Sequence, residues 1–84
     1  MQISKRNGTT EPYDAGKIKR AMGAAFRSVG SALTDDEAVR LVANVERAME
    51  AVSRDGAVAV EDVQDLVERA LMEANYYQEL KSYI

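Results

Sequence analysis

The chain contains no cysteine and no histidine, and it has only one proline. Without cysteine there is no disulfide, no thiolate zinc ligand and no thiol nucleophile. Without histidine, the side chain that most often acts as a general base near neutral pH is also missing. Carboxylates, lysine, tyrosine and serine remain, and a chain of 84 residues is small for enclosing a catalytic cleft. We therefore expect a domain that is not itself an enzyme.

Long apolar runs are also absent. No stretch approaches the roughly 18 apolar residues of a membrane-spanning helix, and 30% of the residues are charged. The N-terminus has no basic segment followed by an apolar one, as a secretory signal would. These features predict a soluble, cytoplasmic protein without a membrane partner, and the length predicts a single domain over residues 1–84.

The charges are unevenly distributed along the chain. Residues 1–30 carry a net charge of +4 and residues 31–84 a net charge of −7, so the overall value of −3 conceals a basic N-terminal third. An acidic protein with this distribution can still bind an anion, provided that the anion binds near the N-terminus.

The hydrophobic pattern predicts a hairpin, four helices and one further strand. Asn7-Gly8 is the preferred pair for a two-residue type I′ turn, because both of its positions need a positive φ. Apolar residues at helical spacing indicate the helices, and Asp14 and the capping box Thr34–Glu37 are typical helix starts. The expected elements are a hairpin over 2–13, helices over about 15–29, 35–52, 61–74 and 76–84, and a strand over 57–60. We expect an α+β fold in which a small three-stranded sheet caps a four-helix bundle.

The stretch KRNGTTEPYD, residues 5–14, holds cations close to a predicted helix start. Lys5 and Arg6 on one hairpin strand would point to opposite faces, and Lys17 would lie in the first turn of the following helix. Cations beside free helix N–H groups are a common setting for phosphate. A solvated basic surface without a ligand explains the same spacing, and from spacing alone it is the more frequent case.

Two acidic side chains in this region also have two interpretations each. As an N-cap, Asp14 would stabilise its helix by about 1 kcal/mol, which suffices to explain it; it would otherwise accept a hydrogen bond from a ribose hydroxyl or an adenine amine. Glu11 is either a solvated surface residue or the partner of Lys5 or Arg6 across the hairpin. The acidic run that begins at Glu61 is most simply a solvated helix face.

Three segments, in this order, resemble the ATP-cone, the regulatory nucleotide-binding domain at the N-terminus of many ribonucleotide reductases. They are ISKRNGTTEPYDAGKIKRAM, LTDDEA and VAVEDVQDLVERALMEANYYQELKSYI. The family opens with an apolar strand, Lys-Arg-(Asp/Asn)-Gly, an acid, an apolar or aromatic residue and later Lys-Ile. Those positions are matched here by Ile3, Lys5, Arg6, Asn7, Gly8, Glu11, Tyr13, Lys17 and Ile18. The later block of valine, two acids, an aliphatic residue and Gln or His is matched by Val60, Glu61, Asp62, Val63 and Gln64.

The resemblance implies that ATP or dATP, together with Mg²⁺, binds between the hairpin and the helices. Carried over residue by residue, the resemblance implies that the phosphates contact Lys5, Arg6 and Lys17, and that other polar groups of the nucleotide contact Glu11 and Asp14. It also implies that the base lies between Tyr13 and Ile18. Val60 and Gln64 would close the site. Val60 stands where some members have a hydroxyl residue, and Gln64 stands where others have histidine. No metal-binding residues are implied.

The resemblance further implies that ATP switches an attached ribonucleotide reductase on and that dATP switches it off by changing how subunits associate. The partners would be the rest of the reductase large subunit and other subunits, with no nucleic acid. One alternative is the ATP-cone of a zinc-ribbon repressor of reductase genes, whose ribbon needs four cysteines before the cone. Another is a small nucleic-acid-binding module that uses the face of Lys5, Arg6, Lys17 and Arg20. A helical interaction domain without a ligand is the third.

Overall fold

A computed structural model describes all residues from Met1 to Ile84. It contains four helices and a three-stranded sheet, which confirms the expected α+β class. The strands are β1 (Gln2–Ser4), β2 (Thr10–Pro12) and β3 (Ala57–Ala59). The helices are α1 (Ala15–Ser28), α2 (Asp35–Val52), α3 (Val60–Glu73) and α4 (Tyr77–Tyr83). Val60, which was expected to end the strand, is the first residue of α3 instead.

The sheet has the order β2-β1-β3, so the first strand of the chain is the central one. β1 runs antiparallel to β2, with Ile3 opposite Glu11, and parallel to β3, with Ile3 opposite Val58. Ile3 and Val58 are buried in the core beneath the sheet. Pro12 lies at the end of the edge strand β2, where its missing N–H leaves no gap in the ladder.

The hairpin is present, but the prediction of a two-residue type I′ turn is wrong. Gly8 has a φ of +86°, whereas Asn7 does not have a positive φ. The N–H of Gly8 donates to the carbonyl of Lys5 at 3.0 Å, and the N–H of Lys5 donates to the carbonyl of Thr9 at 2.7 Å. This is the pattern of a three-residue loop with glycine in the left-handed conformation at its last position. Lys5 and Arg6 were expected on the strand, but both lie in the segment between β1 and β2, residues 5–9, which we call the hairpin loop.

Side-chain caps begin the first two helices, as the sequence predicts. The carboxylate of Asp14 accepts a hydrogen bond from the N–H of Gly16 at 2.8 Å. The hydroxyl of Thr34 accepts from the N–H of Glu37 at 3.2 Å. Each cap satisfies a helical N–H that has no partner within the helix.

Left-handed residues end α1 and α3. Gly30 has a φ of +79°, and the N–H of the following Ser31 donates to the carbonyl of Phe26. Asn75 has a φ of +67°, and the N–H of the following Tyr76 donates to the carbonyl of Leu71. Both are Schellman motifs, in which glycine and asparagine are the usual left-handed residues.

The core lies between the sheet and the helices. Its most deeply buried side chains come from all three long helices and include Met22 and Phe26 of α1, Met49 of α2 and Leu71 of α3. The ring of Phe26 also contacts that of Tyr76 just before α4, with centroids 4.9 Å apart. None of the helices combines the length and the hydropathy needed to cross a lipid bilayer.

Candidate functional site

Two lysines from different elements meet at one carboxylate. Glu11 projects from β2, Lys5 from the hairpin loop and Lys17 from the first turn of α1. Glu11 Oε2 lies 3.3 Å from the Nζ of Lys5 and 3.5 Å from the Nζ of Lys17. Both ammonium groups therefore lie within reach of a single oxygen atom, and of the two interpretations of Glu11 the structure shows the pairing with Lys5.

The electrostatics of this cluster reflect that geometry. The hydrogen bond from Lys5, together with the positive charges of Lys17 and Lys5, holds the pKa of Glu11 below its usual value. Lys5 and Lys17 are about half exposed, and Glu11 is about one-third exposed. Exposed pairs of this kind contribute little to folding. An incoming anion can therefore replace the carboxylate at little cost to the fold.

A second ion pair joins the hairpin loop to α3. Arg6 Nε donates to Glu61 Oε1 at 2.6 Å, and this hydrogen bond lowers the pKa of Glu61. The β1–β3 register explains the contact, because Ser4 pairs with Ala59 and the two charged residues each follow two positions later. The acidic face of α3, which was interpreted as solvated, thus contains Glu61, a residue that contacts the predicted site through Arg6.

The start of α3 adds backbone donors to this region. The residue before the helix, Ala59, provides no side-chain cap, and among the first N–H groups that of Glu61 interacts with its own carboxylate. Val60 is half-buried against the core, and Gln64 is exposed one turn further on. An uncapped helix start beside a cationic loop is a favourable environment for an anion.

Three other predicted site residues make contacts within the ligand-free fold that do not involve the lysine cluster. Asp14 caps α1 and also lies 3.8 Å from Arg20 Nη2, so its capping role accounts for its presence. Ile18 is buried in the hydrophobic core. Tyr13 points to α2 and lines a cavity of about 190 Å³ with Met1, Glu46, Met49 and Glu50. Neither Tyr13 nor Ile18 shares an ion pair or hydrogen bond with the lysine cluster.

The hydroxyl of Tyr13 is buried without a hydrogen-bond partner. Burial raises the pKa of this tyrosine, and the carboxylate of Glu46, a weak acceptor for its hydroxyl that falls outside ordinary hydrogen-bond geometry, raises it further. A buried hydroxyl that makes no hydrogen bond is unfavourable, because it has lost its water without replacement.

The four cations of the alternative nucleic-acid face do not form a bare basic surface. Lys5 and Lys17 pair with Glu11, Arg6 pairs with Glu61, and Arg20 pairs with Asp14. Carboxylates interleaved among the cations would repel a continuous phosphate backbone. The arrangement suits a small anion that displaces one carboxylate better than it suits a polymer. Elsewhere, no three acidic side chains come together as ligands for a metal ion.

Comparison with known proteins decides the family. The family model described as the ATP cone domain matches residues 1–84. The chain belongs to the ATP-cone family. ATP-cones are regulatory domains that bind nucleotide effectors and are not themselves catalytic, so the resemblance read from the sequence is confirmed.

Two curated relatives carry the same name. The ribonucleoside-diphosphate reductase subunit alpha of Treponema pallidum (strain Nichols) is 43% identical over 88 residues, which cover all of this chain and 10% of that protein. The protein of that name from Chlamydia muridarum (strain MoPn / Nigg) is 31% identical over 94 residues, covering all of this chain and 9% of that protein. This ATP-cone therefore spans about a tenth of the length of the relatives that it matches.

The residue that the sequence reading missed is Glu61. The pattern that indicates the contact is the parallel pairing of β1 with β3. Arg6 follows Ser4 by two positions, and Glu61 follows its partner Ala59 by two positions, so the opposite charges lie side by side. That pattern becomes visible only when the strand register is known, since a shift of one residue would turn the two side chains to other faces.

Proposed function

We propose that residues 1–84 form a single regulatory domain that binds ATP and dATP and thereby controls the overall activity of a ribonucleotide reductase. The observation that carries this proposal is the convergence of Lys5 and Lys17 on one oxygen of Glu11, beside the uncapped start of α3. Family membership and the names of the two relatives support the same function. The parent protein would be the large subunit of the reductase.

In this proposal the phosphates take the place of the Glu11 carboxylate. Lys5 and Lys17 would each donate to phosphate oxygens, and charge-assisted hydrogen bonds of this kind are about twice as strong as neutral ones. Arg6 would turn from Glu61 to the phosphates, since its side chain is largely exposed and free to move. The free N–H groups at the start of α3 would complete the anion site.

The nucleoside would lie along the rest of the predicted site. Glu11, once released, would accept hydrogen bonds from polar groups of the nucleotide, and Asp14 would do so without losing its cap. Val60 and Gln64 would close the site from α3. Ile18 and Tyr13 would wall the base, and for Tyr13 this requires its ring to leave the cavity beside Glu46.

Mg²⁺ would enter with the triphosphate. The chain groups no three carboxylates that could hold the ion by themselves. Magnesium in nucleotide sites is typically held by phosphate oxygens, waters and at most one or two carboxylates. Magnesium would therefore increase affinity for the nucleotide without binding to the ligand-free domain.

Regulation would follow from the difference between two ligands. ATP and dATP differ by one hydroxyl, so each can shift a conformational equilibrium only by its differential affinity for the two states. We propose that ATP favours the active reductase and dATP the inactive one, through altered association of subunits. The four helices would act as the bundle expected of the family and transmit the change from the hairpin.

The test is isothermal titration of the domain with ATP, dATP, GTP and a short single-stranded oligonucleotide, each with Mg²⁺. Saturable heat with ATP and dATP, and none with GTP or the oligonucleotide, is the expected result. Absence of saturable heat with both adenine nucleotides at about 1 mM, where even a binding free energy of about −4 kcal/mol is detectable, would refute the proposal. Binding of the oligonucleotide alone, with steep salt dependence, would instead indicate the nucleic-acid module.

A further inference from the structure

The surface between α1 and α2 carries two adjoining depressions that the proposed nucleotide site does not use. One has a volume of about 480 Å³ and lies along α1 beside the α1–α2 loop. The other has a volume of about 370 Å³ and extends onto α2. Gly16 and Lys19 line both, so together they form one continuous depression, which we call the α1–α2 groove.

The end of the groove along α1 is basic. Lys19, Arg20 and Arg27 line it, and no carboxylate does. Arg20 and Lys19 each have one distant carboxylate partner, at 3.8 Å and 3.6 Å, whereas Arg27 forms no ion pair. Weak pairs at exposed positions are readily exchanged for a better partner.

Two glycines form the floor of this end. A Cβ atom at Gly16 would lie 3.0 Å from both Arg20 Nη1 and Asp14 Oδ1, and one at Gly23 would lie 3.4 Å from Arg27 Nη1. The guanidinium groups therefore lie close over the helix backbone, where side chains would otherwise stand. Gly16, Arg20, Gly23 and Arg27 recur at helical spacing and share one face of α1. Lys17 lies outside this stripe, so the groove is separate from the lysine cluster.

The end of the groove on α2 is apolar. Ala38, Val39, Val42 and Ala43 line it, with Glu46 at its limit. Val39 is 69% exposed, the most exposed large hydrophobic side chain within a long helix. Small side chains on both helices leave this part open, and nothing within the domain covers it.

Charge and shape together favour one kind of occupant. The basic stripe from Gly16 to Arg27 extends for about 16 Å at the helical rise of 1.5 Å per residue, which matches three turns of a helix. A nucleic acid would need cations along the whole groove, yet the α2 end offers apolar side chains and a carboxylate. A partner helix with one acidic part and one apolar part complements both ends, and Arg presents a forked donor that fits carboxylates.

We propose that the α1–α2 groove is a docking site for an acidic amphipathic helix of another protein or domain. Carboxylates of that helix pair with Arg20 and Arg27, which are seven residues apart on α1, and its apolar side chains pack on Val39 and Val42. The proposal does not rest on the proposed nucleotide site, which meets the groove only at Asp14, the partner of Arg20.

The test uses a fluorescein-labelled synthetic peptide of about five helical turns. Its apolar stripe consists of leucine, and two glutamates seven positions apart flank one end of that stripe. Fluorescence anisotropy measures its binding to the 84-residue domain, to the double variant Arg20→Gln/Arg27→Gln and to Val39→Asp. The matched control is Arg40→Gln/Arg69→Gln, which removes the same charge from exposed positions outside the groove. Melting temperatures verify that every variant is folded.

We expect both groove variants to weaken peptide binding by about fivefold or more, the control to leave it unchanged, and a peptide with glutamine in place of glutamate to bind as weakly as the double variant. The proposal is overturned if the domain does not bind the peptide at 1 mM, if the control weakens binding as much as the groove variants, or if the glutamine peptide binds equally well. The proposal is also overturned if tripolyphosphate or an oligonucleotide binds more tightly than the peptide does and this binding is lost in Arg20→Gln/Arg27→Gln.

Discussion

Arg6 Nε lies 2.6 Å from Glu61 Oε1, and this contact joins the hairpin loop to the first turn of α3. The two residues belong to elements that would both touch the phosphates of a bound nucleotide. In the ligand-free domain the contact therefore holds the loop in place and, at the same time, keeps Arg6 occupied. A variant without the Arg6–Glu61 contact shows how much of the order of the loop depends on it.

Replacement of Glu61 by glutamine should loosen the hairpin loop without unfolding the domain. Both side chains are largely exposed, so the melting temperature should change little. Hydrogen–deuterium exchange of residues 5–9 should become faster, because the loop loses its tie to α3. Asp62→Asn is the matched control, since Asp62 lies beside Glu61 and forms no ion pair. Unchanged exchange in Glu61→Gln would show that the backbone alone orders the loop.

Replacement of Lys17 by alanine should weaken ATP binding by about tenfold or more, because a charge-assisted hydrogen bond is worth about 1.5–3 kcal/mol. The melting temperature of the ligand-free domain should stay nearly the same, since Lys17 makes only an exposed ion pair. Lys19→Ala, two positions along the same helix, should leave ATP affinity unchanged. Calorimetric titration and thermal melting give the two readouts. A large fall in the melting temperature of Lys17→Ala would mean that this lysine is structural.

Replacement of Glu11 by glutamine should distinguish its two roles. The variant no longer neutralises Lys5 and Lys17, so inorganic tripolyphosphate should bind about two- to fivefold more tightly at low salt. ATP should gain less than tripolyphosphate, because the variant also loses an acceptor for polar groups of the nucleoside. Equal gains for both ligands would mean that Glu11 does not contact the nucleoside. Looser binding of tripolyphosphate would mean that Glu11 does not compete with phosphate.

Replacement of Tyr13 by phenylalanine should change the free energy of unfolding at neutral pH by less than about 1 kcal/mol, because the hydroxyl that it removes is buried with only a weak acceptor, Glu46. Burial raises the pKa of Tyr13 and of Tyr83 above their ordinary value. A tyrosine whose pKa is raised by folding contributes stability that is complete below the unfolded pKa of about 10 and is lost as the pH rises above it. Melting curves between pH 8 and pH 11.5 should therefore show a decline above about pH 10 that is smaller in Tyr13→Phe. Equal declines in both proteins would contradict the prediction.

Replacement of glycine by alanine should change the free energy of unfolding in opposite directions at Gly8 and Gly23. Gly8 has a φ of +86°, so alanine there is strained although no atom lies within 4 Å of the added Cβ, and we expect a loss of about 1 kcal/mol. Gly23 is helical, and the added Cβ would meet only the flexible end of Arg27, so we expect a gain of about 0.5–1 kcal/mol. Urea denaturation of the two variants measures both. A gain at Gly8 would argue against the three-residue loop.

Local chemistry in the sequence was enough to predict most of the secondary structure. Asp14 and Thr34 cap helices because their side chains accept from N–H groups only two or three residues away. Gly30 and Asn75 end helices because each adopts the left-handed conformation more readily than other residues do. These effects depend on neighbours along the chain, so no knowledge of tertiary packing was needed.

The remaining features depend on contacts between distant segments. Asn-Gly suits both two-residue and three-residue loops, and here the strand register selects the longer one. Tyr13 follows a strand directly, and its direction is set by packing on α2, which the sequence does not specify. The α1–α2 groove exists because two helices with small facing side chains leave space between them. None of these features follows from the spacing of residues in one segment.

The position of β1 at the centre of the sheet has a consequence for how the domain assembles. β2 is joined to β1 by a short loop, whereas α1 and α2 lie between β2 and β3 in the chain. Bringing β3 to β1 closes a long loop, and the entropic cost of that closure is offset only when the contacts between the two strands form. A hairpin of two short strands is marginal in water on its own. During synthesis the loop that holds Lys5 and Arg6 is therefore made first but becomes ordered late. The proposed anion site would therefore be complete only after the beginning of α3 has left the ribosome.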